Sequence, residues 1–158
     1  MIPKQRSYFE IKLDTLLRLT LSYSLASHLP VYVVNEYPKS GGTWMAQMLS
    51  SYLGLPFHRN KLPKFESQVL HAHYLYSPRL KNIVNVIRDG RDVMVSYYYH
   101  CLFVQENGYN WPEVKHTTKD LKIVDPQNIE QNLPKFIEYT FVKKRHPKFS
   151  WVEFCTDW

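Results

Sequence analysis

The chain has 158 residues, and its 20 lysines and arginines outnumber 14 aspartates and glutamates, which gives a formal net charge of +6. This length fits a single domain, and an apolar content of 44% is enough to build a hydrophobic core without disulfides. Aromatic residues make up 15% of the chain and glycines number only five. This composition excludes intrinsic disorder and collagen-like or repeat architectures.

The cysteine pattern argues for a reducing environment. Cys101 and Cys155 are too few for a disulfide framework, and neither lies in a CxxC or Cys/His pattern with zinc spacing. We therefore expect a cytoplasmic protein without a bound metal.

The first predicted element is an amphipathic helix over residues 7–25, within an N-terminal segment 1–28 that precedes the main domain 29–158. Its apolar stretch Leu16 to Leu25 is interrupted by Arg18 and by threonine and serine, so it is too short and too polar to span a bilayer. It also lacks the cleavage site of a signal peptide. A helix lying on a membrane surface is the alternative.

A strand, a glycine-containing turn and a helix follow. Residues 31–36 (VYVVNE) predict a short strand, and apolar residues recur at helical intervals over 43–53. That helix is predicted to end at Gly54 and Pro56.

The remaining pattern also alternates strands with helices. Strands are predicted at 68–74 and, more strongly, at 82–87. A helix capped by Asp89 extends to about Phe103, a loop occupies 105–126, and a last long helix covers about 129–144. Strands separated by helices predict an α/β fold with a parallel sheet.

The turn at residues 37–43 (YPKSGGT) is the first candidate anion site. A strand that runs through a glycine turn into a helix directs backbone N–H groups and the positive helix end at one point. Gly41 and Gly42 allow close approach, Lys39 adds a positive charge, and Ser40 and Thr43 add hydroxyls. The spacing is not GxxxxGK[ST], and a plain βα turn with an incidental lysine is the alternative.

A second candidate anion site follows the strand at 82–87. Arg88 suits bidentate phosphate binding, and Ser96 lies about two helical turns further on. Both turns follow parallel strands, so we expect them at the same sheet edge. Surface ion pairing of Arg88 and Arg91 with Asp89 and Asp92 is the alternative.

Together, YPKSGGTW at 37–44 and VIRDGRDVMVSYYYH at 86–100 resemble the two cofactor motifs of the sulfotransferases that use 3′-phosphoadenosine 5′-phosphosulfate (PAPS). The resemblance implies a three-layer, P-loop-like parallel sheet flanked by helices. It implies that the 5′-phosphosulfate is bound by Lys39, Ser40, Gly41, Gly42 and Thr43, that Trp44 stacks near the adenine, and that Arg88 and Ser96 hold the 3′-phosphate. Gly42 stands where the family more usually has threonine, and Trp44 could instead pack in the core.

The implied reaction passes a sulfuryl group from a phosphate to an acceptor hydroxyl or amine. Negative charge builds on the bridging oxygen as its bond to sulfur breaks, and Lys39 can neutralise it. A histidine is the natural proton acceptor. His73 resembles the family's catalytic histidine, whereas His71 stands where a lysine would be expected, so the choice between the two stays open.

The resemblance covers residues from about 30 to the end, which correspond to the N-terminal half to two thirds of the family's fold. We therefore expect an incomplete sheet, with an edge open to self-association or to a second chain. One alternative is a catalytically inactive nucleotide-binding fragment. Another is a nucleic-acid-binding module that uses the basic run at 143–148, whose plainer interpretation is a solvated helix end. The acceptor, a small molecule or a carbohydrate, is not identified by the sequence.

Overall fold

A computed structural model describes residues 7–26, 28–59, 61–103, 112–145 and 147–158. These residues form two compact units. One extends as far as Ile87 and includes Asp157 and Trp158, and the other runs from Arg88 to Thr156.

The first unit opens with the predicted N-terminal helix, which is confirmed. Helix α1 spans Tyr8–Thr20 and continues as a π-helical segment over Leu21–Leu25. Ser7 and Glu10 form a reciprocal capping box at its start, so two otherwise unpaired backbone N–H groups are satisfied. Phe9 and Leu16 remain largely exposed on α1, whereas Leu21 is fully buried beneath the sheet.

A three-stranded parallel sheet forms the centre of this unit, in the order β2-β1-β3. The strands are β1 (Val31–Glu36), β2 (Gln68–Ala72) and β3 (Ile83–Val86), and helix α2 (Gly42–Leu53) packs against β1 and β2. The central strand is buried along almost its whole length, as expected for a parallel strand covered on both faces. The predicted α/β class with a parallel sheet flanked by helices is confirmed, and the two outer strands are shorter than predicted.

The second unit is helical and contains α3 (Gly90–Phe103), α4 (Pro112–Leu121), α5 (Ile129–Lys143) and α6 (Trp151–Asp157), the last of which ends one residue beyond it. Tyr97 and Tyr98 of α3 pack edge-on against Phe136 of α5, which is fully buried. The helices predicted at 90–103 and 129–144 are therefore confirmed.

The predicted loop at 105–126 is wrong over its central part, where α4 lies. Pro112 and the scarcity of apolar residues suggested a loop. A proline at the first helical position costs nothing, because its missing N–H would have no helical partner there. Among the α4 residues whose burial is described, Val114 and Thr117 are the buried ones, and two residues are too weak a helical pattern to recognise in the sequence. Residues 104–111, including Gly108, lie outside the described residues.

Across the described parts of the chain, no helix has the length and apolar character needed to cross a membrane. This agrees with the polar interruptions of the Leu16 to Leu25 stretch.

Candidate functional site

The turn between β1 and α2 has the strand, glycine turn and helix arrangement that the sequence predicts. The Ser40 N–H donates to the Tyr37 carbonyl across 3.1 Å and closes the turn. Lys39 has a φ of 75° and Gly41 a φ of 108°, so two residues of the turn adopt the left-handed backbone. Gly41 can do so without cost, but Lys39 is strained there. Strain of this kind persists only where surrounding structure enforces it, and it is common at functional sites.

Ser40 carries a polar atom that the fold buries without a partner. The residue is only 6% exposed, and its hydroxyl oxygen has no hydrogen-bond partner among the described residues. A buried hydroxyl without a partner costs free energy, and such groups call for an explanation. A ligand oxygen at this turn would supply one.

Glu36, the last residue of β1, is a buried carboxylate at the same turn. It is 4% exposed. The Gly42 N–H donates to Glu36 Oε2 at 2.5 Å, and His71 Nε2–H donates to Oε1 at 2.8 Å. Burial acts to raise the pKa of Glu36, but the hydrogen bond and charge of His71, the Gly42 amide and the charge of His73 together lower it. The carboxylate is therefore held ionised against the N-terminus of α2.

Gly42 has no room for a side chain because of this carboxylate. A Cβ atom there would lie 2.6 Å from Glu36 Cδ, 2.8 Å from Glu36 Cγ and 2.7 Å from His71 Nε2. The family that this loop resembles more usually has threonine at this position, and threonine would clash with both side chains. Gly42 is the residue that admits the pair of Glu36 and His71.

Both candidate histidines lie on the face of the sheet that carries Glu36. Val34 pairs with His71 and Asn35 with Ala72 in the parallel ladder, so alternation places His71, His73 and Glu36 on one face. The two imidazole rings lie edge to face with centroids 4.9 Å apart. His71 is tied to the Glu36 carboxylate and is half-buried, whereas His73 is exposed.

The tautomer of His73 follows from its backbone contact. Its Nδ1 lies 2.8 Å from the Glu36 carbonyl oxygen. A carbonyl oxygen only accepts hydrogen bonds, so Nδ1 carries the proton and Nε2 is the basic nitrogen of the neutral ring. The Nε2 of His71, by contrast, is hydrogen-bonded to the Glu36 carboxylate.

Glu36 is the site residue that sequence reasoning missed. An acidic residue directly before a glycine turn is a weak local signal. Its role depends on the register between β1 and β2, which sets His71 and His73 beside it. The alternation of the two histidines was visible in the sequence, but their carboxylate partner was not.

The second candidate turn, Arg88 to Asp92, is dominated by exposed ion pairs. Asp89 caps α3 as predicted, accepting from the Arg91 N–H at 2.9 Å. Its carboxylate also accepts a hydrogen bond of 2.6 Å from the Arg91 guanidinium. These bonds lower the pKa of Asp89 to about 2. Arg88 Nη2 lies 3.3 Å from Asp92 Oδ2. The ion pairing considered as an alternative therefore forms, although it uses only one N–H of the Arg88 guanidinium, which has five.

The strand ladder places the ends of β1 and β3 side by side. Glu36 pairs with Val86 at the ends of β1 and β3, so both strands end at the same edge of the sheet. Arg88 follows Val86 by two residues and belongs to the second unit, as does Ser96, which is half-buried on α3. That both turns grip one ligand stays a prediction.

Trp44 is 66% exposed on α2, so its ring is not a core element. It lies on the first turn of the helix, directly after the loop, where a stacking partner could reach it. The exposed indole ring is therefore accessible for the predicted stacking on an adenine ring.

The basic run at 143–148 is partly neutralised within its own unit. Lys144 Nζ lies 2.7 Å from Glu153 Oε1, and Arg145 Nε lies 2.9 Å from Asp120 Oδ2. His146 lies outside the described residues. These pairs favour the interpretation as a solvated helix end over a phosphate-binding surface.

Comparisons with models of known families, with curated proteins and with solved structures returned no match to this chain.

Proposed function

We propose that the chain is a sulfotransferase that moves the sulfuryl group of PAPS to a hydroxyl or amine acceptor. The proposal assigns its parallel sheet to the three-layer, P-loop-like class. The observation that carries it is the buried hydroxyl of Ser40, which has no hydrogen-bond partner among the described residues and lies in a strained turn at the N-terminus of α2. An anionic oxygen would satisfy that hydroxyl.

The turn offers several groups to a 5′-phosphosulfate. Lys39 supplies positive charge, and Ser40 supplies its hydroxyl. The amides of Thr43 and Trp44 are in the first turn of α2, where N–H groups have no partner within the helix. The Gly42 amide already donates to Glu36, so the anion is bound by its neighbours.

In the transfer step, the bond between sulfur and the bridging phosphate oxygen breaks while the acceptor oxygen bonds to sulfur. Lys39 neutralises the charge that develops on the bridging oxygen. The acceptor proton passes to His73 Nε2, and the products are the sulfated acceptor and 3′-phosphoadenosine 5′-phosphate. Arg88 and Ser96 hold the 3′-phosphate, and Trp44 stacks on the adenine.

Transfer of labelled sulfate from PAPS to a panel of phenols, steroids, sugars and amines tests the proposal. We expect turnover that falls at least ~100-fold in Lys39→Ala, as for loss of a transition-state charge contact. His73→Gln should lower turnover ~10²- to 10⁴-fold. Lys61→Ala, at an exposed lysine in the same unit, is the matched control and should retain full turnover.

Turnover that survives Lys39→Ala would overturn the mechanism. Binding of 3′-phosphoadenosine 5′-phosphate without transfer to any acceptor would instead identify the chain as a nucleotide-binding protein without activity.

A further inference from the structure

One cluster of side chains beside the turn has the composition of a metal site. Glu36, His71 and His73 each offer a ligand atom, and these three atoms lie within 4.8 Å of one another. No spacing along the sequence suggested this set, because β1 contributes one residue and β2 with the residue that follows it contributes two. The sheet register assembles it.

The donor set matches a particular class of ion. Two imidazole nitrogens and one carboxylate oxygen are the protein ligands of open zinc sites, in which water or substrate takes the fourth position. Harder ions such as Mg²⁺ and Ca²⁺ prefer sets made up of oxygens. We infer that Glu36, His71 and His73 bind a zinc-type divalent transition-metal ion.

The surrounding contacts orient these ligands as a metal site requires. The Gly42 N–H fixes one carboxylate oxygen of Glu36, and the Glu36 carbonyl accepts from Nδ1 of His73. A histidine that binds a metal through one ring nitrogen commonly donates its other N–H to a backbone carbonyl. Because Nδ1 of His73 faces the Glu36 carbonyl, the inferred site uses Nε2 of that ring as the ligand atom.

The three ligand atoms, which lie within 4.8 Å of one another, must move to the spacings of about 3.3 Å found around a tetrahedral zinc ion. Glu36 Oε1 and His71 Nε2 are 2.8 Å apart across a hydrogen bond, whereas two ligands of a tetrahedral zinc ion lie about 3.3 Å apart. The ion replaces the Nε2 proton of His71, and the pair opens by about half an ångström. His73 is exposed, so the ion can enter from solvent.

This inference goes beyond the proposed function and does not depend on it. The two are linked by one residue, because a metal-bound Nε2 of His73 has no lone pair to accept a proton. Zinc binding and the transfer step therefore exclude each other.

Calorimetric titration of the full chain with Zn²⁺, in the absence of nucleotide, tests the inference. Co²⁺ titration followed by visible absorption reports the coordination geometry independently. We expect one ion per chain and the intense absorption bands of low-coordinate Co²⁺. His73→Gln, at an exposed position, should weaken binding at least tenfold without unfolding the chain.

His58→Gln is the matched control, because His58 pairs with Glu66 at 2.7 Å in the same way but lies outside the cluster. It should leave zinc affinity unchanged. Absence of one-to-one binding at ~100 μM Zn²⁺, or an affinity that His73→Gln does not change, would overturn the inference. An equal loss in His58→Gln would do the same. Sulfate transfer is measured separately, on protein freed of metal with a chelator, so the failure of either proposal can be recognised independently of the other.

Discussion

The two turns that follow β1 and β3 are built in opposite ways. The first is organised by a buried carboxylate, Glu36, which joins the backbone of Gly42 to the side chain of His71. The second is organised by carboxylates that meet Arg88 and Arg91 at the surface. Solvent weakens charge attraction more in the second turn than in the first, because the charged groups of the second turn are more exposed.

Because of this difference, we expect the two turns to contribute differently to stability and to ligand binding. Interactions in the first turn hold the local fold as well as any ligand, so substitutions there should change both stability and binding. Interactions in the second turn are largely replaceable by water, so substitutions there should change binding more than stability.

The largest effect is expected from removing the buried carboxylate. Glu36→Ala leaves the Gly42 amide and the His71 side chain without their partner, and breaking a buried pair typically costs ~3 to 5 kcal/mol. Urea denaturation should show this loss in the free energy of unfolding. Arg91→Ala, which breaks the ion pair at the surface, should lower the free energy of unfolding far less. Equal losses in the two variants would contradict the contrast between the turns.

A smaller effect is expected from Gly42→Ala, because the added Cβ overlaps Glu36 and His71. Overpacking of this kind costs ~1 to 3 kcal/mol. Ser51→Ala, on the exposed face of α2, controls for helix propensity. In the background of Glu36→Ala, most of the overlap is removed and the cost of Gly42→Ala should shrink. A cost that is unchanged in the double variant would show that the carboxylate does not set the glycine requirement.

Ser40→Ala, in the first turn, should change stability and ligand binding in opposite directions. Removing a buried hydroxyl that has no partner should raise the free energy of unfolding by about 1 kcal/mol. The same substitution should weaken binding of 3′-phosphoadenosine 5′-phosphate. Chemical denaturation and calorimetry on one preparation measure both quantities. A loss of stability would mean that the hydroxyl already contributes to the fold.

The smallest effect is expected from acid titration of Asp89 in the second turn. Its pKa is lowered to about 2 by Arg91, below the ordinary value of about 3.9. Its contribution to stability is thus present above about pH 4 and is lost as the pH falls towards 2. Nuclear magnetic resonance titration should locate the pKa, and added salt should bring it back towards its ordinary value because the pair is exposed. A pKa that salt leaves unchanged would contradict this account.

Local signals in the sequence were enough to predict most of the elements. Strand β1 and helix α2 follow from a β-rich run and a helical period on either side of Gly41 and Gly42. Helix α4 was missed because Val114 and Thr117 provide too little apolar period. The neighbours of each strand were not predicted, since β1 lies between β2 and β3 through long-range pairing that no local pattern encodes.

The distinction between local sequence patterns and long-range packing also applies to the candidate site. Lys39 and Ser40 could be identified from the turn that contains them, and His71 and His73 from their alternation. Neither the burial of Glu36 nor its contact with Gly42 could be predicted, because both depend on how two strands and a helix pack. The hydrogen-bond partners of the two histidines could likewise not be predicted.

Comparison of two ligands by calorimetry tests most directly the proposal that Lys39 and Arg88 bind opposite ends of one nucleotide. 3′-Phosphoadenosine 5′-phosphate should bind more tightly than adenosine 5′-phosphate, which lacks the 3′-phosphate. Lys39→Ala should weaken the binding of both ligands. Arg88→Ala should weaken the binding of 3′-phosphoadenosine 5′-phosphate only, and so remove the difference in affinity between the two ligands. Equal affinity of the unaltered chain for the two ligands, or binding that neither substitution changes, would contradict the claim.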